Sequence, residues 1–243
     1  MQRGFALIAL LAFACISDVP ENLDKLRGAE ARLRANPHDV QSLDFILGKL
    51  DDHRSITRGN AAAILRLLAD DPKVRAAIAP RAIPALIEVA QRHGDNESEG
   101  ITALGEFHEY GAPAVPTLIN RLSNKDDSRV RDAAEALGKI GRAATPALPA
   151  LRRQLRNPYV SARIHTAIAI RTIAPDDREA IDNLIELLQS RDSATRSDAI
   201  YALEELGPLA LPAVPALEAY DRDDFRIYAR EAVESINKKA AVR

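Results

Sequence analysis

The residues that could do chemistry are few. Five histidines stand at positions 38, 53, 93, 108 and 165, and none has the H-x-x-x-H or H-E-x-x-H spacing that sets two imidazoles on one zinc ion. The stretch "HGDNESE" places His93, Asp95, Glu97 and Glu99 at alternate positions, as a metal loop might. It lacks the ordered Asp, Gly and closing Glu of a calcium loop, and it reads as a solvated turn between helices. Paired aspartates recur at 51–52, 70–71, 126–127, 176–177 and 223–224. Two carboxylates can serve as acid and base. These fall at helix junctions, where capping of free N–H groups accounts for them. There is no G-x-S-x-G, phosphate-binding glycine loop or dinucleotide fingerprint. No catalytic, cofactor-binding or metal-binding residue is expected, and the chain reads as a binding protein rather than an enzyme.

The first residues carry a different message. "MQRGFALIALLAFAC" has one cation, Arg3, followed by an apolar run from Phe5 to Ala14. That run is short for a membrane span and right for the core of a secretory signal. Ala12 and Ala14 form an A-x-A cleavage site, so residues 1–14 are expected to be removed and Cys15 to begin the mature chain. A bacterial lipoprotein carries its lipidated cysteine at this place, which makes Cys15 a lipidation candidate. Export to the periplasm or envelope follows, with any membrane attachment through that lipid. Cys15 is the only cysteine, so no internal disulfide or cysteine metal cluster can form.

The elements behind these residues repeat. "GAPAVPTL" (111–118), "ATPALPAL" (144–151) and "ALPAVPAL" (210–217) share one phrase. Their second prolines, Pro116, Pro149 and Pro215, lie 33 and then 66 residues apart. Leu137, Ile170 and Leu203 keep the same step, as do Ile140, Ile173 and Leu206. A fixed period of this size marks a stacked repeat in which each unit buries its apolar face on the next. Each unit has a short helical run such as "VPTLINRL", a polar turn, and a longer run such as "SRVRDAAEALGKIG". In the longer run Val130, Ala133, Ala134, Leu137 and Ile140 follow helical spacing. Apolar residues at 47 % against 4 % aromatics suit closely packed small helices.

"VRDAAEALGKIG" (130–141), following "VPTLINRLSNKDDS", resembles a HEAT repeat of the bacterial, phycobilisome-lyase-like kind. "TRSDAIYALEELG" (195–207) keeps the pattern, while "ARIHTAIAIRTIA" (162–174) keeps the helix and loses its glycines. The resemblance implies an all-α fold, a right-handed α-solenoid of about six helical hairpins over residues 38–239. Residues 20–37 read as a helix capping its first unit. It also implies a scaffold that binds a protein or peptide partner. The alternative is a subunit acting like a phycobilin lyase on a partner protein, with His165, Arg171 and Tyr201 as its pocket residues.

In such a fold the second helices line the concave side, and their outward positions form a ladder. Arg131, Glu135 and Lys139 supply one set of rungs, Ile164, Ile168 and Thr172 the next, and Ser197, Tyr201 and Glu205 the next. Ile164, Ile168 and Tyr201 would then make an apolar patch, with His165 and Arg171 nearby and Glu135 and Glu205 beside it. Such a patch with a polar rim suits a partner. The other reading, a helix rotated so that its isoleucines enter the core, stays open. The net charge of −2 and the mixed signs of the ladder argue against nucleic acid.

Overall fold

The computed structural model describes residues 20–92, 94, 96–123, 126–222 and 224–241. The signal sequence and Cys15 lie outside them. Every regular element among the described residues is helical, and the α-helices are α1 (Pro20–Ala35), α2 (Val40–Lys49), α3 (Ser55–Leu68), α4 (Pro72–Gln91), α5 (Glu97–Glu106), α6 (Val115–Arg121), α7 (Asp127–Ile140), α8 (Leu148–Gln154), α9 (Val160–Ile173), α10 (Arg178–Leu187), α11 (Ser193–Leu206), α12 (Val214–Glu218) and α13 (Arg226–Ala241). From α2 onward they pair into six hairpins. The chain divides into two compact units, with the boundary between Ala103 and Leu104 inside α5.

In the first unit α1 packs on α2 and α3, and α4 packs on both of those helices. Leu26, Ala29 and Leu33 bury one face of α1 completely. Helix α4 starts at Pro72, where Asp71 accepts N–H bonds from Lys73 and Val74. Pro80 and Pro84 lie inside it. An apolar face of Val74, Ile78, Ala82, Ile83, Leu86 and Val89 keeps the helix continuous through them.

In the second unit the long helices α7, α9, α11 and α13 stack in sequence, and the shorter α6, α8, α10 and α12 each pack on the long helix that follows. Pro116, Pro149 and Pro215 occupy the first turns of α6, α8 and α12, where an N–H has no intrahelical partner. A 3-10 turn precedes each, at His108–Ala114, Gly141–Ala147 and Gly207–Ala213. Asp126, Asp177 and Asp192 cap α7, α10 and α11 with their side chains. Gly141 and Gly207 end α7 and α11 with φ of 71° and 53°, a conformation costly for other residues.

Two other glycines set the pitch. A Cβ on Gly105 would lie 2.8 Å from the Ala136 Cα, and one on Gly138 would lie 3.1 Å from the Ala169 Cα. Both donor and receiver positions advance by 33 residues, so the same glycine–alanine contact joins α5 to α7 and α7 to α9. At the next step Arg171 stands where glycine would, and the α9–α11 contact is thinner than the α7–α9 contact.

Candidate functional site

The outward side of the long helices in the second unit carries the ladder. Glu135 on α7 is exposed, and Lys139, one turn on, is half-buried. Lys139 Nζ donates to Glu135 Oε1 at 2.7 Å and to Glu106 Oε1 at 2.8 Å. Burial pushes the Glu135 carboxyl up, but Lys139, His165 and Arg131 outweigh it and hold it below its ordinary value. Burial likewise pushes the Lys139 ammonium down, and its two carboxylates more than restore it. Arg131 is half-buried and pairs with Asp132 at 3.1 Å. His165 is half-buried, and its Nδ1 lies 2.9 Å from the Ser161 carbonyl oxygen.

Helix α9 departs from the expected ladder. Ile164 is 6 % exposed and Arg171 is 4 % exposed, so both belong to the interior rather than to a surface patch. The cause is position: α9 packs against α7, α8, α10 and α11, and a helix so surrounded must be apolar on most of its circumference. Arg171 donates to the backbone carbonyls of Asp177, at 3.0 Å, and Leu209. Burial pushes its guanidinium below the usual arginine value, although Asp176 and Asp177 act against this. Its terminal nitrogens are spent on these carbonyls, which removes it from a pocket with His165 and Tyr201. Ile168 remains half-exposed.

The exposed apolar surface lies one helix further along. Tyr201 on α11 is 50 % exposed, Tyr228 on α13 is 43 % exposed, and their ring centroids are 6.2 Å apart at a 47° tilt. Phe225 continues the cluster, 6.0 Å from Tyr228. Ile227, beside them in sequence, is 57 % exposed. Glu205, one turn after Tyr201, is exposed. Glu231 lies 30 residues from Tyr201, as Ile236 does from Leu206, so spacing sets Glu231 rather than Tyr228 level with Tyr201. Tyr228 stands one turn earlier and reaches Tyr201 through the packing of α13 on α11, which spacing does not give.

The aspartate pairs do structural work. Asp71, Asp126 and Asp177 are N-caps, and Asp177 also takes the Arg152 guanidinium at 2.6 Å. Asp52 pairs with Arg54 and Lys49, and these contacts lower its carboxyl strongly. In the 93–99 loop, His93 and Asp95 lie outside the described residues, while Glu97 is buried in the first turn of α5. Among the described residues no three His, Cys, Asp or Glu side chains converge as a metal site would, and no helix is long and apolar enough to cross a membrane.

The architecture defines the class: an α-solenoid of stacked helical hairpins, whose long helices present a repeated surface. The family model for HEAT repeats matches residues 83–171 and 148–237, together more than half of the chain. The chain belongs to the HEAT-repeat family. Among solved structures it is similar to the archaeal HEAT-like repeats protein from Thermococcus onnurineus NA1, with 14 % identity and a TM-score of 0.55. That match covers 92 % of this chain and all of the archaeal one. It is similar to a designed armadillo repeat protein in complex with the peptide (KR)4, at 17 % identity, TM-score 0.54, covering 79 % and 98 % of the two chains. An engineered protein gives 22 % identity, TM-score 0.55, and coverage of 81 % and 97 %. These likenesses concern the fold. No curated protein matches the chain.

Proposed function

We propose that this chain is an exported HEAT-repeat scaffold that binds a protein or peptide partner on the outward side of its long helices and catalyses nothing itself. The observation that carries this reading is the exposed Tyr201–Tyr228 pair, with the Phe225 ring 6.0 Å from Tyr228. Tyrosine adds large contact area at low entropic cost and is enriched at interfaces. The fold shared with a peptide-bound armadillo design supports a peptide or protein as the partner. Export rests on the signal-like residues 1–14, and membrane attachment on lipidation of Cys15.

Two measurements test it. A photo-crosslinking residue placed at position 201 of the mature chain is expected to capture one dominant envelope protein. The capture should vanish with Tyr228→Ser. Labelling that is diffuse, or unchanged by that substitution, overturns the binding surface. The intact mass of the cell-derived protein is expected to begin at Cys15 with an added lipid. A full-length mass refutes export by this signal.

A further inference from the structure

We infer that the Tyr201–Tyr228 surface takes a cationic, extended segment of its partner, one that carries lysine or arginine side chains at intervals. This rests on the proposed binding role and adds the partner's chemistry.

The charge around the rings is one-sided. Side chains three and four positions away share a helix face with a given residue. For Tyr201 these positions hold Ser197, Asp198, Glu204 and Glu205. For Tyr228 they hold Asp224, Phe225, Glu231 and Ala232. Every ionisable residue at these helical positions is thus a carboxylate, five in all, and Asp198, Glu205, Asp224 and Glu231 are exposed.

The nearby cations are committed elsewhere or turned away. Arg196 donates to the carbonyls of Ser190 and Arg191 and to the Tyr220 hydroxyl. Lys239 donates to the Glu204 backbone carbonyl, not to its carboxylate. Arg226 and Arg230 stand two residues from Tyr228, on roughly the opposite side of the helix. The contrast with α7 is informative: there Glu135 has Lys139 at 2.7 Å as its own counter-ion.

Two tilted ring faces present negative potential, and carboxylates beside them add to it. Ammonium and guanidinium groups are the side chains that gain from both at once. An acidic segment is repelled, and a purely apolar one would strand the carboxylates against a dry surface. Stacked long helices offer a row of rungs, so an extended segment suits them better than a folded knob.

The test uses the whole mature chain and three labelled octapeptides read by fluorescence anisotropy. One alternates Lys with Ser, one alternates Glu with Ser, and one alternates Leu with Ser. The lysine peptide is expected to bind at least about tenfold tighter than the others, and to weaken several-fold between about 50 and about 300 mM salt. Tyr201→Ser with Tyr228→Ser should weaken it about tenfold or more, with the helical circular dichroism unchanged. Glu205→Gln with Glu231→Gln should flatten the salt dependence. Equal binding of the leucine peptide, lost in the tyrosine variant, would leave the docking surface standing and refute the cationic partner. Lysine-peptide binding that ignores the tyrosine variant, or no binding by any peptide, would overturn the surface itself.

Discussion

Lys139 on α7 reaches Glu106 on α5 at 2.8 Å, and the two residues are one 33-residue period apart. The same ammonium holds Glu135 at 2.7 Å on its own helix. One cation thus bridges two successive rungs of the ladder. Glu106 is the more enclosed of the two carboxylates, so its lost partner is the larger part of any cost.

Lys139→Gln is expected to destabilise the fold by about 1 kcal/mol, because a half-buried carboxylate is left without its donor. Urea unfolding of this variant, of Glu106→Gln and of the double variant completes a thermodynamic cycle. A coupling energy of zero would show that the pair contributes nothing.

Gly138→Val should cost about 2–3 kcal/mol, since even a Cβ there meets the Ala169 backbone at 3.1 Å and two methyl groups must also fit. Thermal unfolding reads this directly. A change below about 0.5 kcal/mol would mean that α7 and α9 part without penalty.

Ile164→Asp and Ile168→Asp are expected to separate. The first buries a carboxylate at a 6 % exposed site and should cost more than about 3 kcal/mol or prevent folding. The second lies at a half-exposed site and should leave a folded chain with a smaller loss. Equal melting temperatures for the two would contradict the placement of α9.

Acid should loosen the hairpins in a defined window. Asp39 is lowered by its bonds from the Ser42 hydroxyl and N–H, Asp192 by those from Thr195, and Asp126 by the Ser128 hydroxyl. A carboxyl lowered in the folded state contributes stability above its unfolded value, about 3.9, and loses it as pH falls through the lower folded value. Melting temperature is therefore expected to hold from neutral pH to about 5 and to fall below about 4. The fall should shrink when the caps are replaced by Asn, which keeps an acceptor without a titrating proton. An acid transition unchanged in that variant would place its origin elsewhere.

The fold was legible because its signals repeat. Pro116, Pro149 and Pro215 announce the short helices, Asp126 and Asp192 cap the long ones, and Gly141 and Gly207 end them. Each is a local backbone requirement that the residue itself satisfies. The surface was less legible because exposure depends on neighbours. Arg131 and Ile164 hold equivalent positions, yet Arg131 stays half-exposed while Ile164 is buried on a helix enclosed by four others. Tyr228 was hidden for a different reason: it stands one helical turn before Glu231, the residue 30 positions from Tyr201, and only the packing of α13 on α11 brings the two rings together.

The substitution of Arg171 for glycine has a mechanical consequence. Where Gly105 and Gly138 let backbone rest on backbone, the stack resists shear, because sliding would drive Cα atoms into contact. On α9 a long side chain takes that position, bonded to the carbonyls of Asp177, which caps α10, and of Leu209, in the turn after α11, and such bonds can lengthen and re-form. At α9 the stack is therefore held by a side chain whose bonds can adjust, where α5 and α7 are held by backbone set against backbone.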